Sequence, residues 1–174
     1  MRKKKTKKIP ASNNRHSDER GKAMGSKQMI EIKEVQLESD PRKGNMVILK
    51  EGEISDRYFM MFVGDAEFAA IAMEKGLVEP KRPLTHRLYL SILDNIGTRF
   101  ICIEINDLKD GTYYADVIFQ VNGKELKVDS RPSDAVALAL NRKIPIMVRE
   151  DLFRRKLTQE EVKQYEDLVK VVKF

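Results

Sequence analysis

Residues able to do chemistry crowd into one short stretch, Asp129-Ser130-Arg131-Pro132-Ser133-Asp134, just before an Ala/Leu run from Ala135 to Leu140. The pattern predicts a strand ending at Asp129, a polar turn, and a helix opening at Pro132, where φ is already helical and the missing N–H costs nothing. Two carboxylates, a guanidinium and two hydroxyls then gather at a helix N-terminus. Capping accounts for some of them: Ser130 or Ser133 can accept a backbone N–H, and Asp134 suits the positive first turn. It leaves Arg131 and Asp129 unexplained.

Two other positions bear on this stretch. Arg82-Pro83-Leu84-Thr85-His86 announces a helix, with Thr85 as N-cap, Leu84 stapling onto Tyr89, and Leu88, Ile92 and Ile96 in its apolar stripe. His86 is the only histidine outside the N-terminal tail, and histidine is the side chain type suited to moving a proton near neutral pH. A solvated or capping role is its ordinary reading; facing Asp129 or Asp134 would give it chemical meaning. Asp110-Gly111 and Asn122-Gly123 are strong hairpin signals, predicting a meander of Arg99–Leu108, Thr112–Val121 and Lys124–Asp129. With two-residue loops, Asp116 falls opposite Asp129. Like charges facing across strands need relief, from Arg131, from Lys127, or from a divalent cation held by Asp116, Asp129 and Asp134.

The remaining elements must position that turn. Ile30–Leu37 and Met46–Leu49 read as a strand pair, and Tyr58–Val63 as a third, doubly covered strand. Ala66–Lys75 reads as a buried helix with Asp65 as N-cap and Gly76 as its stop. Ile144–Val148 is a short last strand, with Pro145 barred from a central ladder position. Thr158–Glu161 forms a capping box for an amphipathic helix carrying Val162, Tyr165, Leu168, Val169 and Val172.

A chain of 174 residues suits one domain with appendages. The expected division is a disordered basic leader (1–28), a domain (29–154) and a C-terminal amphipathic helix (155–174). The net charge of +6 misleads until it is divided, because the leader carries a surplus of eight positive charges and the rest is two negative. Nucleic-acid affinity argued from charge would rest on the leader alone. The single cysteine, Cys102, sits in an apolar run and excludes an internal disulfide. No run is long enough to span a membrane, and no secretory signal is present, so the expected location is cytoplasmic. No Gly-rich phosphate loop, Cys/His cluster or Ser-His-Asp arrangement is found.

Taken together, Arg82–His86, Leu108-Lys109-Asp110-Gly111-Thr112-Tyr113-Tyr114-Ala115, Asp129–Ala135 and Ile144-Pro145-Ile146 resemble the bifunctional nuclease domain family, over about Ile30 to Phe153. The resemblance implies an α+β fold, a mainly antiparallel sheet packed here with three to four helices, and activity against DNA and RNA. On the chemistry of these residues, Asp129 and Asp134, with Asp116, would hold a divalent metal such as Mg²⁺ or Mn²⁺. Arg131 would clamp phosphate, Ser133 and Thr85 would touch substrate, and His86 would move a proton. The rival is a non-enzymatic nucleic-acid-binding or regulatory module whose polar turn is structural. Nucleic acid is the expected partner, without a membrane, and a homodimer is the first guess for assembly.

Overall fold

The computed structural model describes residues 28–53, 55–82 and 85–155, which fold into two β-sheets and three α-helices. The leader and the C-terminal amphipathic helix, with their expected disorder and packing, lie outside the described residues, as does the Leu84 staple.

The first alternating run is divided between the sheets. β1 (Met29–Glu31) joins one sheet and β2 (Glu34–Asp40) the other. At the crossing the Ile32 N–H donates to the Ile146 carbonyl at 2.8 Å and the Lys33 N–H to the Lys50 carbonyl at 2.9 Å, so neither donor is stranded. β2 pairs antiparallel with β3 (Gly44–Lys50), β3 with β4 (Arg57–Val63), and β4 with the two-residue β9 (Arg154–Arg155).

The second sheet holds the expected meander of β5 (Arg99–Lys109), β6 (Thr112–Val121) and β7 (Lys124–Ser130). Both loop residues have positive φ in each hairpin, 49° and 77° at Asp110-Gly111 and 52° and 74° at Asn122-Gly123, the geometry of type I′ turns. Val121 therefore pairs with Lys124, and Asp116 with Asp129. The strand order is β1-β8-β5-β6-β7, with β8 (Ile146–Arg149) running parallel to β5, so this sheet is mixed. Pro145 stays out of the ladder, as expected, although β8 itself lies inside the sheet between β1 and β5. Pro145 precedes β8 and offers only its carbonyl, to the Ile103 N–H at 3.0 Å, so its missing donor is never needed.

Between the sheets and helices lies one core, with Val47, Leu49, Phe59, Ile103, Val136 and Val148 all fully buried. α3 (Pro132–Arg142) is its centre, and its alanines let α1 (Asp65–Glu74) pack close beside it. α2 (Thr85–Asn95) lies more loosely on the outside, with Leu90 as its buried residue. Two capping expectations fail. Gly64, not Asp65, is the N-cap of α1, and the Asp65 carboxylate instead accepts from Asn45 Nδ2 at 2.7 Å. At α3 the N-cap is Arg131, and neither Ser130 nor Ser133 caps: the Arg131 carbonyl takes the N–H groups of Asp134 and Ala135, and the Ser130 hydroxyl also donates to it. Among the described residues no helix is long and apolar enough to cross a membrane.

Candidate active site

Three helices meet around a cavity of about 570 Å³. α1 contributes Glu67 and the small side chains of Ala66, Ala69 and Ala70, α2 contributes Thr85, His86 and Tyr89, and the start of α3 contributes Arg131 and Asp134. Four of the expected residues therefore converge. Ser133 is buried and lines a neighbouring cavity of about 360 Å³, which shares Arg131 and Glu67 as a common wall. Asp116 and Asp129 line neither.

Arg131 is held by two carboxylates from different helices. Its Nε and Nη2 donate to Asp134 at 2.7 and 3.1 Å, a bidentate pair, and its Nη1 donates to Glu67 Oε1 at 2.9 Å. The side chain is nevertheless 65% exposed, and two of a guanidinium's five N–H groups are left for a ligand. The Glu67 carboxyl is held below the usual range by its own backbone N–H at the helix start and then by Arg131.

His86 faces neither Asp129 nor Asp134; it faces Glu74. Its Nε2 is buried, lies 3.5 Å from Glu74 Oε1, and makes no hydrogen bond. That separation is long for a hydrogen bond in the free protein, but within reach of one that tightens on binding. The Glu74 side chain is only 3% exposed, and it accepts from Arg87 Nε at 2.8 Å and from Asn141 Nδ2 at 2.7 Å. Burial pushes its carboxyl up, but the bonds from Arg87 and Asn141 outweigh that and hold it below the ordinary value. The half-buried Tyr89 phenol is pushed up, by burial first and then by Asp134 and Glu74, so it stays a proton donor at neutral pH.

Glu67, Glu74 and Tyr89 are absent from the set the sequence suggested. Glu67 and Glu74 lie in a run dominated by small packing residues, and nothing local marks either as a site residue. Only the meeting of three helices does.

The expected metal ligands are not assembled. Alternation along β6 buries Ala115 and Val117 against α3, which turns Asp116, and Asp129 opposite it, to the other face of the sheet from Asp134. Asp116 is served there by Asn106 and by Lys127 Nζ at 3.2 Å, which also binds Glu104 at 2.7 Å. Lys127 therefore relieves the facing aspartates, and Arg131 does not. Among the described residues no group of three or more His, Cys, Asp or Glu side chains could hold a metal ion, so these residues do not fit the expected site. The Cys102 thiol is pushed up by burial, then by Glu104 and Glu125, which keeps it protonated and unreactive.

The fold and cleft define an α+β domain with an arginine-bearing pocket between helices. Residues 47–161 match the family model of the bifunctional nuclease domain, and the chain belongs to that family, as its sequence motifs imply. It is also similar to two uncharacterized proteins of Mycobacterium tuberculosis, MT1877 of strain CDC 1551 / Oshkosh and Rv1829 of strain H37Rv. Each is 41% identical over 127 residues, covering 73% of this chain and 73% of the relative.

Proposed function

We propose that this protein is a nuclease that hydrolyses phosphodiester bonds of DNA and RNA in the cleft between α1, α2 and α3. The observation that carries the reading is that His86, backed by a buried ionised carboxylate, lines the same cavity as an exposed arginine with donors to spare. The two free N–H groups of Arg131 bind non-bridging phosphate oxygens and stabilise the charge that grows on them. His86 takes a proton from the attacking water and returns one to the leaving oxygen, so that one P–O bond forms as another breaks. Glu74 steadies the imidazolium between those transfers. Tyr89 and Thr85 supply hydroxyls to the substrate, and Asp134 and Glu67 aim the guanidinium. None of these roles draws on Mg²⁺ or Mn²⁺. We place the activity in the cytoplasm, where the lone Cys102 thiol would stay reduced.

One observation favours a second reading, a non-enzymatic nucleic-acid-binding or regulatory module: Glu67 and Asp134 put two carboxylates in the lining of the cleft, and both already occupy Arg131. End-labelled single-stranded RNA and DNA incubated with contaminant-free protein decide between the two. The nuclease reading expects cleavage that His86→Gln abolishes with strand binding retained. Absence of cleavage with Mg²⁺, with Mn²⁺ and without either assigns the cleft to binding.

A further inference from the structure

The 360 Å³ cavity beyond Arg131 has a neighbour of about 270 Å³, and Met61, Phe62, Gly111 and Tyr113 line both. The three cavities adjoin in series, each sharing wall residues with the next, as a grooved surface from His86 past Arg131 and along β4 to Arg154. Its middle holds an anomaly: Phe62 is 61% exposed, a ring that packing within the domain does not cover. An arginine stands on each side of that ring, Arg131 in one cavity and Arg154 in the other, and Arg154 has no ion-pair partner among the described residues.

From this arrangement we infer that the groove binds single-stranded nucleic acid, with one base stacked on Phe62 and the flanking phosphates at Arg131 and Arg154. The inference deepens the nuclease proposal and rests on its placing a phosphate at Arg131. A bare aromatic face between two cations is how strands are held without sequence preference, since every base has a π-face. A duplex cannot use it, because its bases are already stacked on one another inside the helix. Among the described residues β9 pairs only with Arg57 and Tyr58, and no strand covers the later part of that β4 edge, which would also suit an added peptide strand. A peptide without an acidic side chain there would leave the Arg154 charge unmatched, and a nucleic-acid phosphate does not.

The test is binding of a short single strand carrying one 2-aminopurine, and of its duplex, to the full-length protein and to Phe62→Leu, with strand integrity checked on a denaturing gel. Phe62→Leu keeps an apolar side chain at an exposed position, and the basic leader is common to both proteins. Stacking quenches the fluorophore in the wild type. Phe62→Leu should lose that quench and bind the single strand about 5- to 150-fold more weakly, as expected for one lost stacking contact, with duplex binding unchanged. Arg154→Gln should lower the salt slope for the single strand by about 0.7. Single-strand affinity within about two-fold of wild type with the quench intact, or an equal loss for the duplex, overturns the inference and leaves the β4 edge to a peptide. Binding is read without turnover, so a protein that cleaves nothing can still pass. An active nuclease indifferent to Phe62 sinks this inference alone.

Discussion

Oε1 of Glu74 lies 3.5 Å from Nε2 of His86, and the same carboxylate binds Arg87 and Asn141, so one buried acid ties the end of α1 to the start of α2 and the end of α3. Glu74→Gln keeps the shape and removes the charge that Arg87 faces. It should cost about 1.5–3 kcal/mol at neutral pH, the range for hydrogen bonds to a charged group. The pH dependence has a definite sign. The folded carboxyl lies below its ordinary 4.5, so its stabilisation is complete above that value and is lost as the pH falls through the folded one. In thermal melts the gap between wild type and variant should stay level from about pH 6 to 8 and narrow on the acid side. A gap that widens toward acid would show that folding does not favour the ionised form.

Arg131→Lys separates the structural role of this residue from its chemical one. A lysine keeps the charge but not the fork that grips Asp134 through two nitrogens. Because the side chain is largely exposed, unfolding stability should change by less than about 1 kcal/mol. Cleavage, by the proposed mechanism, should fall roughly 10- to 100-fold, since the ammonium cannot meet two phosphate oxygens in one plane. Denaturant titration and initial rates on the same preparation check both halves; a large loss of stability with the rate preserved reverses the assignment.

The parts of this fold that sequence reveals are those governed by neighbours in the chain. Asp110-Gly111 and Asn122-Gly123 accept positive φ cheaply, so each dictates its own hairpin and, through it, the facing of Asp116 and Asp129. The parallel pairing of β8 with β5 joins residues far apart in the chain, and no local spacing announces it. Pro145 stands just before β8, so the rule about its missing N–H is obeyed and says nothing of where that strand lies in the sheet. The site divides in the same way. Arg131 and Asp134 are visible as a pair three residues apart at a helix start, whereas Glu74 gains meaning only when α2 brings His86 to it. The serines mislead because a cap and a polar turn use the same residue types, and here the Arg131 backbone carbonyl receives the first N–H groups of α3.

Self-association should run through β7. This strand ends its sheet, and Leu126 and Val128, which alternation places on the core side, remain 42% and 47% exposed. A two-fold antiparallel pairing centred on Leu126 sets Glu125 against Lys127 of the partner subunit, and does so twice, so apolar contact and charge agree. Light scattering should show dimer at tens of micromolar, roughly 7 kcal/mol of association, and Leu126→Lys should return it to monomer. A wild-type monomer throughout that range rules out the edge as an interface.

Asp129 and Asp134 flank Arg131, yet the sheet turns them to different work, and paired substitutions expose the difference. Asp129 is exposed on β7, faces Asp116, and lies outside the cleft. Asp129→Asn removes one of two facing like charges while Lys127 keeps both Asp116 and Glu104, so stability should rise by a few tenths to about 1 kcal/mol. Cleavage should stay within about two-fold, because no cleft residue loses a partner. Asp134→Asn releases Arg131 Nε and should cost about ten-fold in rate with little loss of fold. Running both variants with and without a chelator completes the comparison. If instead Asp129→Asn and the chelator each silence a protein that remains folded, a divalent ion acts at the hairpin, and the catalytic centre moves from the helices to the sheet.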